Sequence, residues 1–261
     1  MKLVTWNVNS IRARLPRVLE LLAAHQPDVL CLQETKVDDA GFPADELAAA
    51  GYRAAIHGEG RWNGVAIVAP ASVAIANVQR GLDGEPNPQE ARWLEATVDG
   101  VRVASVYVPN GREPHHPMYA EKLVFLSAMR ERLEVLATES AVVAGDFNIA
   151  PDDRDVWDIR AFDGATHVTE PERDRLKQLL DAGFVDAYRQ VEPHQQCFTW
   201  WDYRMGAFRR DMGMRIDLAL VQQNLRVDAV DVDTVFRRNN EAGDKPSDHA
   251  PVIVTIARHA E

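Results

Sequence analysis

Leu94-Glu95-Ala96-Thr97-Val98-Asp99-Gly100-Val101-Arg102-Val103-Ala104-Ser105-Val106-Tyr107-Val108 decides the architecture. Two Val- and Ala-rich runs flank Asp99-Gly100, a strong two-residue hairpin signal, so this part of the chain is antiparallel. A strictly parallel sheet with alternating helices is thereby excluded. Working outward, Gly64 to Ala69 is an apolar run read into the same antiparallel stretch. Before it, Lys2 to Val8 alternates like a strand, and Asp28 to Gln33 fits a buried one. Between them, Arg12 to His25 carries Leu15, Val18, Leu19 and Leu22 at helical spacing after Ile11. On the other side, Tyr119 to Leu136 is an amphipathic helix leading into the strand Ala141 to Ala144. Pro171 to Ala182 reads as a further helix with Pro at its start. Cys197 to Trp201, Arg215 to Val221 and Pro251 to Ala257 return to strands. About ten strands exceed what one twisted open sheet holds, so the pattern predicts a layered α/β sandwich of two packed sheets with helices outside. Without an internal repeat or a Gly-, Ser- or Pro-rich linker, residues 1–261 are expected to form a single domain.

The chain carries 29 Lys and Arg against 40 Asp and Glu, a formal net charge of -11. With 46% hydrophobic residues it has enough apolar side chains for a large core, which excludes disorder. Cys31 and Cys197 cannot build a disulfide framework, and neither sits in a pair spaced for zinc, which points to a reducing compartment. The apolar start is cut by Asn7 and Asn9, and no run approaches the roughly 18 apolar residues of a membrane span. A soluble cytoplasmic protein, monomeric and without a membrane partner, is expected.

An acidic chain repels polyanions, so any nucleic-acid reading needs local basicity. Trp200 to Arg215 supplies it: Arg204, Arg209, Arg210 and Arg215 stand against Asp202 and Asp211, interleaved with Trp200, Trp201, Tyr203 and Phe208. On composition alone an ion-paired, solvated loop is equally consistent.

Polar residues recur at the ends of the apolar strands, where a core has no use for them. They are Asn7 and Asn9, Glu34, Tyr107 and Asn110, Asp146 and Asn148, Asp217, and Asp248 with His249. Strand ends converge at a sheet edge, which is where sites collect in α/β folds. Carboxylates with Asn amides, one His and no Cys suit a hard cation such as Mg²⁺ better than zinc. Such a site recruits phosphate and stabilises charge on a transferred phosphoryl group, so phosphoester hydrolysis follows as the reaction class.

Eight segments then carry a resemblance. They are Trp6-Asn7-Val8-Asn9, Leu32-Gln33-Glu34-Thr35-Lys36, Asn63 to Ile67, Tyr107 to Gly111, Gly145-Asp146-Phe147-Asn148 through Pro151, Phe198 to Arg204, Arg215-Ile216-Asp217, and Pro246-Ser247-Asp248-His249 through Pro251. In this order, over nearly the whole chain, they closely resemble the exonuclease III family of bacterial apurinic/apyrimidinic endonucleases. The resemblance implies a DNase I-like four-layer sandwich: two packed mixed β-sheets flanked by helices. It implies Mg²⁺-dependent cleavage of double-stranded DNA 5′ of abasic sites, with 3′ to 5′ exonuclease and 3′-end cleaning activity, and Mn²⁺ as a substitute.

Position by position, the resemblance implies Glu34 as principal metal ligand, with Asn7 and Asp248 nearby and Asn9 further out. Asp146 would orient or deprotonate the attacking water, and Asn148 would hold that water or a phosphate oxygen. His249, paired with Asp217, would donate to the scissile phosphate, and Tyr107 would face it. A two-ion scheme would place the second ion at Asp146, Asn148 and His249. Arg92, Asn110, Arg204, Arg209, Arg210 and Lys245 are the expected DNA contacts. Trp200, Met214 and Leu218 are expected to line an apolar pocket for an extruded abasic sugar. Asn110 stands where the family's namesake enzyme has Gln, which leaves the balance of activities open.

Two rivals remain. An inositol or lipid phosphatase of the same superfamily would share the Gly-Asp-x-Asn and Ser-Asp-His elements but usually carries a Pro-x-Trp-x-Asp-Arg element, which this chain lacks. A non-catalytic nucleic-acid-binding regulator would have lost site residues, and Glu34, Asp146, Asn148, Asp217 and His249 are all present.

Overall fold

The computed structural model describes residues 1–257. Its opening unit is β1 (Lys2–Asn7), α1 (Ile11–His25) and β2 (Val29–Gln33), with the two strands parallel. Ser10 caps the helix, its hydroxyl accepting the Ala13 N–H. Then follow α2 (Ala44–Ala49), β3 (Tyr52–His57), β4 (Val65–Pro70), β5 (Ile75–Arg80), β6 (Trp93–Val98) and β7 (Val101–Tyr107). Asp99 and Gly100 between β6 and β7 both have positive φ, 49° and 78°, the conformation a two-residue hairpin with the native strand twist requires. The chain continues with α3 (Pro117–Leu136), β8 (Ala141–Asp146), α4 (Glu170–Asp181), β9 (Phe184–Asp186) and α5 (Ala187–Val191). It ends with β10 (Trp200–Trp201), β11 (Gly213–Met214), β12 (Asp217–Gln222), β13 (Arg226–Val232) and β14 (Val252–Ala257).

One six-stranded sheet runs β13-β14-β1-β2-β4-β3, the other β5-β6-β7-β8-β12-β9, and β10-β11 form a small ribbon. Both large sheets mix parallel and antiparallel pairs. The stretch from Gly64 to Val108, expected to be one antiparallel run, is split between the sheets: β4 joins the first, and β6 and β7 join the second. Their inner faces pack Leu3, Val29 and Cys31 against Val103, Val142, Ala144 and Ala219. On one outer face, Val18, Leu21 and Leu22 of α1 cover Val4, Trp6 and Leu30. On the other, Leu126, Met129 and Leu133 of α3 and Leu176 and Leu179 of α4 cover Val106, Val143 and Leu220. Helices, sheet, sheet and helices thus make four layers, as the resemblance implied. Among the described residues, no helix is long and apolar enough to cross a membrane.

Four strands of the two large sheets have no counterpart in the sequence reading: β3, β5, β9 and β13. They are the four edges of the two sheets. The run from Cys197 to Trp201, expected as a strand, is paired only at Trp200 and Trp201.

Candidate active site

Strand side chains alternate between faces, and in five strands the inner face turns from apolar to polar at the same end. The series are Leu3-Thr5-Asn7, Val29-Cys31-Gln33, Val103-Ser105-Tyr107, Val142-Ala144-Asp146 and, in the reverse direction, Val221-Ala219-Asp217. Registers bring these ends level: Asn7 lies opposite Gln33, and Asp146 lies opposite both Tyr107 and Asp217. Glu34 follows β2 with a left-handed φ of 51°, and Asn148 follows β8 with the same value. The Ser247-Asp248-His249 segment is tied to β1, Ser247 Oγ donating to Asn7 O at 2.7 Å and Trp6 Nε1 donating to His249 O at 3.0 Å.

The resulting cleft, of about 290 Å³, is lined by Glu34, Tyr107, Asp146, Asn148 and His249 among others. Asn7 Nδ2 donates to Glu34 Oε1 at 2.8 Å and to Asp146 Oδ2 at 2.9 Å. Its oxygen accepts the Asn9 N–H, and its nitrogen bridges the two carboxylates. His249 Nδ1 lies 2.9 Å from Asp217 Oδ2, and its Nε2 points to Asp146 Oδ2 at 3.8 Å. Burial disfavours the imidazolium, yet Asp217, Asp146 and Asp248 outweigh it and raise the His249 pKa to about 10. Burial, with Asp217 and Glu34 adding repulsion against the pull of His249, raises Asp146 to about 7. Burial likewise pushes Tyr107 well above the ordinary tyrosine value, with Glu34 and Asp146 adding to it, so its phenol is a neutral donor that bonds Glu34.

Asn148 Oδ1 accepts from Asn110 Nδ2 at 3.1 Å, and its Nδ2 donates to Val108 O. Asp248 accepts from Asn9 Nδ2 at 2.9 Å and from Trp200 Nε1 at 3.1 Å. Met214 and Ile216 give the cleft an apolar wall beside Trp200. Leu218, expected in that wall, is instead in the core under α3 and α4. It follows Asp217 along β12, and successive strand residues face opposite ways.

The expected DNA contacts divide. Arg209, Arg210 and Lys245 are exposed. Arg204 lines the cleft and chelates Asp202, at 2.7 Å in its closest contact. Arg92 is buried, paired with Glu90 and stacked 4.9 Å from the Tyr107 ring centroid, so it braces Tyr107 from behind. Arg215 is also buried, held by Asp155 at 2.7 Å and Asp186 at 2.8 Å.

Three groups at the site were given no role by the sequence. Lys36 Nζ lies 2.7 Å from Glu34 Oε2 and also donates to Asn9. Its signal was a cation two residues from the key carboxylate. His167 lines the cleft with Nδ1 2.6 Å from Asn148 O, and burial lowers its pKa to about 4, leaving it neutral. Trp62, 65% exposed, borders an adjoining cleft with Arg92, Tyr107 and Asn110. Neither position belongs to a strand, so alternation gave no sign of them.

Glu34, Asp146 and His249 place ligand atoms within 4.8 Å of one another, a spacing that could hold a metal ion. Asp146 is buried beside Glu34 and Asp217, and oxygen donors without thiolates suit a hard cation.

Known proteins are similar to this chain over nearly its whole length. Exodeoxyribonuclease III of Haemophilus influenzae is 31% identical over 97% of this chain and 98% of its own length. A 3′ phosphatase from Neisseria, NExo, solved with a product DNA hairpin, is 39% identical with a TM-score of 0.94, covering 99% of this chain and 100% of that one. An AP endonuclease from Archaeoglobus fulgidus is 35% identical with a TM-score of 0.91, covering 98% of both chains. The model of the Endonuclease/Exonuclease/phosphatase family matches residues 4–249, from the first strand of the sandwich to the histidine of the cleft, and the chain belongs to that family.

Proposed function

We propose that this chain is a DNA repair nuclease, a hydrolase of phosphodiester bonds in double-stranded DNA that acts 5′ of abasic sites and at blocked 3′ ends. One observation carries the reading: the Asp217–His249–Asp146 array faces Glu34 across a cleft of about 290 Å³. His249, kept charged by Asp217, donates from Nε2 to a phosphate oxygen. Asp146 accepts the proton of the attacking water while Asn148 orients that water, and Tyr107 donates its phenol proton to the phosphate. Asn110 adds a donor beside Asn148. Arg204, Arg209, Arg210 and Lys245 meet the DNA backbone, and Trp200 with Met214 and Ile216 walls a space for a sugar without its base.

Glu34, with Asn7 and Asp248 near it, would hold the cation, Mg²⁺ with Mn²⁺ as a substitute; in a two-ion scheme Asp146 and His249, whose ligand atoms lie within 4.8 Å of that of Glu34, would hold the second ion together with Asn148. When bound, it supplies positive charge against the phosphate oxygens. The names of the relatives, an exodeoxyribonuclease, a 3′ phosphatase and an AP endonuclease, support DNA as substrate over inositol phosphates or lipids. Retention of every acid and base group supports an enzyme over a binding module. Both cysteines are free, which fits a reducing compartment such as the cytoplasm.

The test uses three labelled duplexes: one with a single abasic analogue, one with a 3′-phosphate, and one undamaged. Cleavage should need Mg²⁺, and Glu34→Gln should lower it by about a hundredfold or more while leaving the fold intact. Full activity of Glu34→Gln at low Mg²⁺, or of the unaltered protein in excess chelator, would sink the reading.

A further inference from the structure

The cleft draws on both sheets. Asn7 and Glu34 come from the first, Tyr107, Asp146 and Asp217 from the second, so its geometry depends on how one sheet is seated on the other. Apolar packing between sheets is non-directional and does not by itself fix that seating to a few tenths of an ångström. One step below the cleft, the apolar interface is interrupted by Thr5 on β1, Gln33 on β2 and Ser105 on β7, all three with no exposed surface.

Their hydrogen bonds close on themselves across the sheet-to-sheet gap. Gln33 Nε2 donates one hydrogen to Thr5 Oγ1 and the other to Ser105 Oγ, each at 3.0 Å. Ser105 Oγ donates back to Leu32 O at 3.0 Å, and Thr5 Oγ1 donates to Gln33 Oε1 at 3.3 Å. Every hydrogen of the trio has an acceptor. Such a network adds little net stability over apolar groups of the same shape, but it has direction, which they lack.

Each member also lies next to a group of the cleft. Gln33 precedes Glu34, while Thr5 and Ser105 stand one inner-face position below Asn7 and Tyr107. We propose that Thr5, Gln33 and Ser105 are positioning residues: their bridge seats the two sheets in one register and so sets Glu34 and Asn7 against Tyr107 and Asp146. The kinetic part of this inference rests on the nuclease reading, and the metal-binding part does not.

The experiment replaces the trio by apolar near-isosteres, Thr5→Val, Gln33→Met and Ser105→Ala together. Thermal unfolding should stay near the unaltered protein or rise, because no side-chain partner is left unsatisfied. Affinity for Mn²⁺ alone, read by electron paramagnetic resonance, should weaken about fivefold or more, since ligands from two sheets no longer meet in one geometry. On abasic duplex at saturating metal, kcat should fall about tenfold or more with KM within about twofold, the mark of misplacement rather than lost binding. Thr5→Ser keeps the hydroxyl and should behave as the unaltered protein. Ser105→Ala cuts only the arm between sheets and is decisive should the triple variant not fold. Mn²⁺ affinity and kcat within about twofold of the unaltered protein, in the folded triple variant or failing that in Ser105→Ala, would overturn the proposal. If the unaltered protein binds Mn²⁺ but cuts no DNA, the nuclease reading falls and the Mn²⁺ comparison alone decides the role of the trio.

Discussion

Asp146 and His249 lie 3.8 Å apart and are pushed in the same direction for opposite reasons. Burial and neighbouring carboxylates raise the acid to about 7, while Asp217 and its fellow carboxylates raise the base to about 10 against the effect of burial. Proton abstraction needs Asp146 ionised and phosphate binding needs His249 charged, so activity should rise through about pH 7 and fall through about pH 10. A cation favours the ionised carboxylate, so raising Mg²⁺ should move the acid limb of the kcat profile to lower pH and leave the alkaline limb near its place. An acid limb that ignores Mg²⁺ between limiting and saturating levels would separate Asp146 from the cation. Both shifts make the metal-free protein less stable as pH rises, in different windows. His249, raised above its unfolded value, contributes fully below pH 6.5 and loses that contribution as pH rises through about 10. Asp146, ionised above about pH 7 at a site that resists the charge, weakens the fold as pH rises toward that value.

Behind the cleft, α3 and α4 are joined by a fully buried ion pair between Lys122 and Glu172. The ammonium also donates to Asn148 O at 2.7 Å and to Asn110 O at 3.3 Å, and Glu172 accepts from Thr166 and from the His167 backbone. Two helices thereby hold three loop residues of the cleft. Burial lowers the Lys122 pKa against the pull of Glu172; burial raises that of Glu172, but the ammonium and its hydrogen bonds bring it below the ordinary value. Lys122→Met leaves a buried carboxylate without its cation and should cost about 3–5 kcal/mol near neutral pH. Calorimetry should find that loss smaller in acid, where Glu172 takes up a proton; a loss independent of pH would point to packing alone. Nothing in the sequence announced this pair, because Lys122 and Glu172 read as solvated helix residues among Glu121 and Arg173. What was legible was the centre of each sheet. β1, β2, β7 and β8 are apolar runs because both of their faces are covered, whereas β3, β5 and β13 are edges with mixed burial. A register shift between Val227 and Ala229 further breaks the alternation of β13.

At the level of the whole molecule, a net charge of -11 and a DNA-binding face have to coexist. The basic segment is less free than its composition implied: Arg204 is tied to Asp202 and Arg215 is consumed inside the fold, which leaves Arg209 and Arg210 exposed. Replacing those two by Ala should flatten the slope of log affinity against log salt by about one to two. An unchanged slope and affinity would make the segment an ordinary solvated loop. The polar strand ends were readable because the cleft is where the shared apolar interface stops; Lys36 and His167 were passed over because they lie on loops, and Leu218 was misplaced because face parity decides it. The first strand lies in the middle of its sheet, with β2 on one side and β14, the last strand, antiparallel on the other. During synthesis β1 therefore stays half paired until β14 is made, and Asn7 waits for Ser247, more than two hundred residues later. Contacts this distant in sequence slow folding, and the unfinished chain has a bare apolar flank that invites chaperones. The same delay keeps the cleft from existing before residues 247–249 have been made.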